Sequence, residues 1–199
     1  MRIAISGSHS LGKSTLVHDW LAANPTYLHE EEPYRVLRDW YDIEFRQKST
    51  RLHNGIQLYY NVSRVMQYAI ATENVIFDRA PVDYIAYSQY TADHGTTDID
   101  NAFIETMIPV VREALERIDV LIFLPITEKW QVEMEDDGIR PVDHPYRKEV
   151  DALFKEIYRD GRFQVMNSKN VPRLVELWGA PGERIEKLAQ IVAEEQSAQ

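Results

Sequence analysis

The sequence contains no cysteine, which excludes disulfides, thiolate metal sites and cysteine nucleophiles. Basic residues are the minority, 22 against 32 acidic ones, and the net charge of −10 opposes binding to nucleic acid or to an anionic membrane. No apolar stretch approaches the roughly twenty residues that a membrane-spanning helix needs, and the N-terminus lacks the pattern of a signal peptide. We therefore expect a cytoplasmic protein without nucleic-acid or membrane partners.

The 199 residues, of which 44% are hydrophobic, suffice for one globular domain with a proper core. No internal repeat or low-complexity linker divides the chain. We expect a single domain over residues 1–195, followed by a frayed C-terminus at 196–199. The sequence leaves the oligomeric state open, a homodimer included.

Short continuous apolar runs alternate with segments of helical periodicity. Such runs are typical of strands that are buried on both faces of a parallel sheet. Strands are predicted at 2–6, 27–28, 75–77, 120–124 and 163–166, and helices at 13–23, 33–41, 51–71, 82–90, 101–117, 146–158 and 183–195. The pattern predicts an α/β fold of three layers, with a central, mostly parallel five-stranded sheet flanked by helices.

The long helix at 51–71 has two distinguishable faces. Its apolar stripe, which we expect to face the core, consists of Leu52, Ile56, Tyr59, Met66 and Ile70. Its polar face consists of Gln57, Asn61, Arg64 and Tyr68. That polar face is interpreted either as a solvated surface or as a surface that reads a bound acceptor.

A complete phosphate-binding motif, G-x-x-x-x-G-K-[ST], lies between the first predicted strand and the first predicted helix, which is the context that this motif requires. Its glycines let backbone N–H groups surround a phosphate chain, and the helix N-terminus adds a positive dipole. Lys13 would reach the β- and γ-phosphates of ATP, and the Ser14 hydroxyl would bind Mg²⁺. The predicted ATP-binding residues are Gly7, Ser8, His9, Ser10, Leu11, Gly12, Lys13, Ser14 and Thr15.

The remaining motifs distinguish between classes of P-loop protein. A GTPase is expected to carry N-K-x-D, whereas the nearest string, at 167–170, is N-S-K-N and lacks the aspartate. A small-molecule kinase needs a carboxylate near the acceptor hydroxyl and cations that neutralise the moving phosphoryl group.

Carboxylates follow the second and third predicted strands, at the edge of a parallel sheet where ligands bind. Glu30, Glu31 and Glu32 form the first group, and Glu32 is the preferred catalytic base, with an acidic helix start as the alternative. Asp78 is a candidate Mg²⁺ ligand and Arg79 a candidate phosphate or acceptor clamp. The alternative is an ordinary buried ion pair or a helix cap, and the functional interpretation is preferred to it.

A loop bracketed by Gly138 and Pro141 is interpreted as a lid over the nucleotide. Arg140 lies between these turn residues and is the lid cation that we assign to catalysis. Arg147 and Lys148 follow on the next predicted helix, where a solvated surface is an equally good explanation.

Taken together, four elements resemble one family. They are the phosphate loop at 7–14, the acidic run at 30–32, the Asp78–Arg79 pair, and Trp130 followed by D-G-I-R at 137–140. The family is the P-loop AAA domain family, which includes the nicotinamide riboside kinase domain of bifunctional NAD-biosynthesis proteins. Glu32-Pro33 and Asp78-Arg79 also resemble elements of deoxynucleoside kinases, although alanine and proline follow Arg79 where those kinases usually have serine.

The resemblance implies a kinase-type sheet with a lid, ATP as donor, and Glu32 as general base. The resulting hypothesis is a transfer of the γ-phosphate of ATP, with Mg²⁺, to a nucleoside, a nucleotide or a similar small hydroxyl compound. Lys13, Arg79 and Arg140 stabilise the transferred charge, and Ser14 and Asp78 bind the metal. The alternative is a regulatory or switch ATPase that acts on a protein partner. The sequence does not identify the acceptor.

Overall fold

The computed structural model describes residues 1–44, 48–68, 74–132, 143–167 and 169–198. Five strands lie in this part of the chain: β1 (Arg2–Ser6), β2 (Tyr27–Glu30), β3 (Asn74–Asp78), β4 (Val120–Phe123) and β5 (Arg173–Glu176). The helices are α1 (Lys13–Ala23), α2 (Pro33–Tyr41), α3 (Arg51–Gln67), α4 (Val82–His94), α5 (Asn101–Leu115), α6 (His144–Arg159) and α7 (Pro181–Ala198).

The strands form one sheet in the order β2-β3-β1-β4-β5, and every pair of neighbours is parallel. β1 lies in the centre, with Ile3 opposite Ile76 of β3 and Val120 of β4. The carboxyl ends of the four strands from β2 to β4 therefore meet at one edge of the sheet. The segments that carry the predicted site residues all leave from this edge.

Both faces of the sheet are covered, which explains why its strands are continuous apolar runs. On one face, Ala4, Phe77 and Phe123 pack against α3, α4, α5 and α6. On the other face, Ile5 and Ile122 pack against α1 and α7. The predicted three-layer α/β fold with a five-stranded sheet is confirmed.

One predicted strand is wrong, and another was missed. Residues 163–166 form no strand; a 3-10 turn occupies Arg162–Gln164, and Phe163 has a positive φ of 63°. Arg112 of α5 donates to the carbonyls of Phe163 and Gln164 and so holds this turn. The strand that was missed is β5, at one edge of the sheet. Its residues are half-buried or exposed, so it lacks the apolar run of the central strands.

The prediction for α3 is wrong for part of its apolar stripe, although Ile56 packs against the small cluster that contains Tyr34 and Leu37 of α2, as expected. Leu52 and Tyr59 of the apolar stripe are 65% and 59% exposed, whereas Gln57 and Asn61 of the polar face are buried. Ile70 of that stripe lies outside the described residues. The buried face of α3 presents amides towards β3 and α4, where Asn61 Nδ2 donates to the carbonyl of Arg79 at 3.4 Å and Asn54 Nδ2 to Ser88 at 2.9 Å.

The C-terminal helix is longer than predicted at both ends. It begins at Pro181 and runs to Ala198, so the segment expected to be frayed is helical through residue 198. Alanine, glutamate and glutamine, all good helix formers, make up most of this end. None of the helices in the described part of the chain is both long and apolar enough to cross a bilayer.

Candidate functional site

The phosphate loop joins the end of β1 to the first residue of α1. Gly7 has φ 131° and Gly12 has φ 77°, conformations that glycine adopts at little cost. A Cβ on Gly7 would lie 2.6 Å from the carbonyl oxygen of Leu124, directly after β4. The loop is therefore pressed against the neighbouring strand, and only glycine fits at its first position.

Replacing Gly7 with alanine is expected to lower the free energy of unfolding by on the order of 3 kcal/mol, because it adds a steric clash to a strained φ. Urea unfolding followed by circular dichroism measures this change. The matched control is Gly55→Ala on α3, where no atom lies within 4 Å of the added Cβ and φ is not positive. That variant should gain roughly 0.5–1 kcal/mol. Equal stabilities for the two variants would contradict the tight packing of the loop.

The carbonyls of the phosphate loop are bonded by cationic side chains from four segments of the chain. The pairs are Arg79 Nη1 with Gly7 O at 3.1 Å, Lys13 Nζ with Ser8 O, Arg147 Nη1 with Ser10 O at 3.2 Å, and Arg184 Nη1 with Leu11 O at 2.7 Å. A trans peptide directs its carbonyl and its N–H in opposite directions. The carbonyls of Ser10 and Leu11, which Arg147 and Arg184 bond, therefore leave the N–H groups of the same peptides directed away from these arginines, and N–H groups directed into the loop are what an anion requires.

Lys13 is buried beneath the loop. Burial, and to a lesser extent the nearby charge of Arg79, lowers the pKa of Lys13 to about 7, while Asp83, Asp78 and Glu32 act in the opposite direction. Its ammonium donates to the carbonyl of Ser8. A phosphate group placed in the loop would supply the negative charge that this lysine lacks.

Ser14 and Asp78, the two predicted Mg²⁺ ligands, lie together. The Ser14 hydroxyl donates to Asp78 Oδ2 at 2.6 Å, across the gap between α1 and the end of β3. Asp78 Oδ1 is buried and has no hydrogen-bond partner among the described residues. A hydroxyl beside a carboxylate with an unused oxygen suits Mg²⁺, which binds few protein ligands and keeps several waters. No cluster of three or more potential metal ligands occurs in the described ranges.

Arg79 and Glu32 form a buried ion pair next to the phosphate loop. Arg79 Nη2 and Nε donate to Glu32 Oε1 at 2.7 and 3.1 Å, and both side chains are almost fully buried. The backbone of Arg79 has φ 132°, which is uncommon for a residue with a side chain. Backbone strain of this kind is often found at functional sites.

The structure separates the three neighbouring glutamates. Glu30 accepts from Arg64 Nη2 and Nε at 2.6 and 2.7 Å and from the Tyr68 hydroxyl at 2.6 Å, away from the phosphate loop. Glu31 is exposed. Glu32 alone of the three contacts Arg79, which in turn bonds the loop at Gly7. Of the three, Glu32 is therefore the one that lies next to the phosphate loop, and its role as a base stays a prediction.

Other predicted site residues differ in their placement. His9 is buried, with its ring 5.0 Å from that of Tyr146 in the first turn of α6. Thr15 is exposed in the first turn of α1. Arg140 and the rest of the predicted lid loop, at 137–141, lie outside the described residues, and Trp130 before them is 40% exposed.

Four residues that contact this site were not assigned to it from the sequence: Asp83, Tyr87, Arg147 and Arg184. A spacing of four residues between Arg79, Asp83 and Tyr87 would have placed all three on one face at the start of α4. From the sequence, a solvated surface explains Arg147 as well as a functional role does. In the structure, Arg147 bonds Ser10 O and Val132 O. Nothing in the sequence around Arg184 indicates that its side chain reaches the phosphate loop.

Comparisons with known proteins agree with the fold. A family model described as an AAA domain matches residues 2–172. A deoxyadenosine kinase from M. mycoides, solved with dCMP and dCDP, has a TM-score of 0.70 at 18% identity and covers 98% of this chain and 100% of its own. NadR protein solved with NR has a TM-score of 0.66 at 17% identity, over 94% of this chain and 50% of NadR.

NadR protein in complex with NAD and AMP-PNP has a TM-score of 0.63 at 15% identity, over 94% of this chain and 48% of that chain. This chain thus spans about half the length of NadR. No curated protein sequence matches this one. The resemblance expected from the motifs is confirmed for the family, and at these identities the solved structures support the fold.

Proposed function

The chain belongs to the AAA domain family, and from that premise we propose that it transfers the γ-phosphoryl group of ATP to a small hydroxyl compound of the nucleoside class. The class comprises nucleosides, nucleotides and nicotinamide riboside. The fold and the family support a P-loop nucleotide-binding protein similar to kinases. The step from nucleotide binding to phosphoryl transfer depends on the acceptor side of the site.

The donor side is supported by the phosphate loop. Its glycines bring the backbone close to a bound triphosphate, and α1 directs its N-terminus at the loop. Lys13 is already buried there, so it needs only to exchange the Ser8 carbonyl for a phosphate oxygen. Because a phosphate stabilises the protonated lysine, nucleotide binding also raises the pKa of this group.

Ser14 and Asp78 are the residues that would hold Mg²⁺ at this site. When bound there, the ion neutralises charge on the β- and γ-phosphate oxygens. The unpartnered Asp78 Oδ1 and the Ser14 hydroxyl are the groups that suit this role.

The observation that carries the proposal is the position of Glu32. This carboxylate is buried at the carboxyl edge of the sheet, and Arg79 ties it to the phosphate loop. Its contacts include Arg79 and Arg35, and nucleotide binding does not by itself use this carboxylate. A kinase needs one to position the attacking hydroxyl and to accept its proton.

In the proposed reaction, the acceptor oxygen forms a bond to the γ-phosphorus as the bond to the β,γ-bridging oxygen breaks. The hydroxyl proton passes to a Glu32 carboxylate oxygen, and the electron pair of the broken bond stays on ADP. Lys13 and Arg79 stabilise the charge on the transferred group. Arg140, which lies outside the described residues, is proposed on the sequence alone to add a further cation from the lid.

The test is ADP production from Mg²⁺-ATP by the purified protein, with and without a panel of nucleosides, nucleotides and nicotinamide riboside. We expect at least one acceptor to raise the rate tenfold or more above the acceptor-free rate, and mass spectrometry to find a product heavier by one phosphate. The Lys13→Ala variant, purified in parallel, measures contaminating kinases. Hydrolysis that no acceptor stimulates would overturn the proposal in favour of a regulatory ATPase.

A further inference from the structure

Asp83 is a buried carboxylate for which the proposed reaction has no role so far. It lies in the first turn of α4 and is 0% exposed. Its Oδ1 accepts from the Ser6 hydroxyl at 2.6 Å, and the same hydroxyl lies 2.7 Å from the hydroxyl of Tyr158 on α6. Asp83 is therefore held directly behind the phosphate loop, since Ser6 is the last residue before Gly7.

The other oxygen of Asp83 contacts Arg79. Arg79 Nη1 lies 3.4 Å from Asp83 Oδ2, 3.1 Å from Gly7 O and 3.0 Å from the hydroxyl of Tyr87. The guanidinium also lies over the Tyr87 ring, 5.6 Å from its centroid. Nε and Nη2, on the opposite side of the guanidinium, face Glu32. Arg79 is thus clamped between two carboxylates, one on the acceptor side and one behind the loop.

The charge of Asp83 is costly to bury, and the Ser6 hydrogen bond does not require it, because a neutral amide oxygen would accept that bond equally well. Burial raises the pKa of Asp83 to about 6, although Arg79 acts to lower it. The carboxylate is therefore largely ionised at pH 7.5. A retained buried charge indicates a partner that needs it, and Arg79 is the cation in direct contact.

We infer that Asp83 is a positioning residue that acts through Arg79, and this inference rests on the proposed phosphoryl transfer. While Glu32 is ionised, Arg79 has two anionic partners. When Glu32 accepts the proton of the acceptor hydroxyl, its attraction for the guanidinium falls. Asp83 then still holds the guanidinium of Arg79 beside Gly7 O, at the phosphate loop where the proposed transfer takes place.

The first test observes Arg79 directly and needs no activity. In ¹⁵N-labelled, nucleotide-free protein, the Nε–Hε signal of Arg79 should exchange slowly with solvent, because this group is buried and bonded to Glu32. Asp83→Asn should speed its exchange at least tenfold. The Nε–Hε signal of Arg64, which bonds Glu30 at 2.7 Å, is an internal control that should stay within twofold. Arg79→Lys and Arg64→Lys assign the two signals by their loss.

Should Asp83→Asn fail to fold, Ser6→Ala provides the same measurement, since it removes the hydroxyl that orients Asp83 while leaving its charge. It should shift and broaden the Arg79 signal and leave that of Arg64 unchanged. An Arg79 signal that is unaltered in a folded variant overturns the inference.

The second test is a double-mutant cycle on the acceptor-dependent rate. Asp83→Asn should lower kcat about tenfold with the KM for ATP within threefold, and it should lower kcat by less than twofold in an Arg79→Lys background. Additive losses would show that Asp83 acts independently of Arg79, which overturns the inference. If the wild-type protein phosphorylates no acceptor, the proposed function fails, while a changed Arg79 signal still supports the contact that positions Arg79.

Discussion

Replacement of Lys13 by alanine is expected to reduce acceptor-dependent turnover at least a thousandfold, the largest effect of any single substitution. Among the described residues Lys13 is the one lysine buried at the phosphate loop, and its ammonium would bridge the β- and γ-phosphates. Loss of a charge that acts on the transition state inside a desolvated site costs roughly 4 kcal/mol or more, which corresponds to this factor. Steady-state kinetics measures the loss of turnover, and isothermal titration calorimetry with Mg²⁺-ATP measures the loss of ATP affinity.

The nucleotide-free Lys13→Ala protein should nevertheless be about as stable as the wild type at pH 7. In the wild type, the folded-state pKa of Lys13 is about 7, against 10.5 for an unperturbed lysine, so burial of the charged lysine opposes folding at this pH. Removal of that cost offsets the lost bond to Ser8. Lys169→Ala, at an exposed position, is the matched control and should change neither stability nor turnover. Unchanged ATP affinity in Lys13→Ala would remove the phosphate loop from the mechanism.

The sequence predicts best where structure is locally encoded. The phosphate loop needs two glycines with positive φ, a strand before it and a helix after it, and all of these are recognisable within the first 23 residues. The three central strands are recognisable because burial on both faces requires unbroken apolar runs. These local requirements are sufficient to predict the fold class and to predict that the site lies at the carboxyl edge of the sheet.

Prediction fails where burial depends on what lies opposite. On α3, Leu52 and Tyr59 look like a core stripe, yet the face that meets β3 and α4 carries Gln57 and Asn61. Amides on that face bond groups such as the Arg79 carbonyl, which no periodicity can reveal. β5 was missed for a related reason, because an edge strand has one unpaired side and does not need a continuous apolar run.

The candidate site shows the same division. Lys13, Ser14, Asp78 and Arg79 follow from motifs at strand ends. Arg147 and Arg184 come from α6 and α7, far along the chain, and reach the loop only after the helices pack. The choice among three adjacent glutamates likewise depends on which of them meets Arg79 and which meets Arg64.

Glu32→Gln is expected to lower kcat roughly a hundredfold to a thousandfold, within the range lost when a positioned general base is removed. The KM for ATP should stay within threefold, because Glu32 reaches the phosphate loop through Arg79, which bonds Gly7 O. Glutamine is nearly isosteric with glutamate and can still accept a bond from Arg79, so the fold should survive. Acceptor-dependent ADP production at saturating ATP measures the loss.

The two neighbouring glutamates make this test specific. Glu31→Gln alters an exposed side chain and should leave turnover within twofold of the wild type. Glu30→Gln weakens the buried contacts to Arg64 and Tyr68, so it should lower the thermal midpoint while the folded fraction keeps most of its activity. Only the loss of a base or of a positioning carboxylate is expected to lower kcat while ATP affinity and stability stay unchanged. If Glu32→Gln instead reduced ATP affinity and turnover equally, its carboxylate would belong to the nucleotide site, and the acceptor would have to be activated by another group.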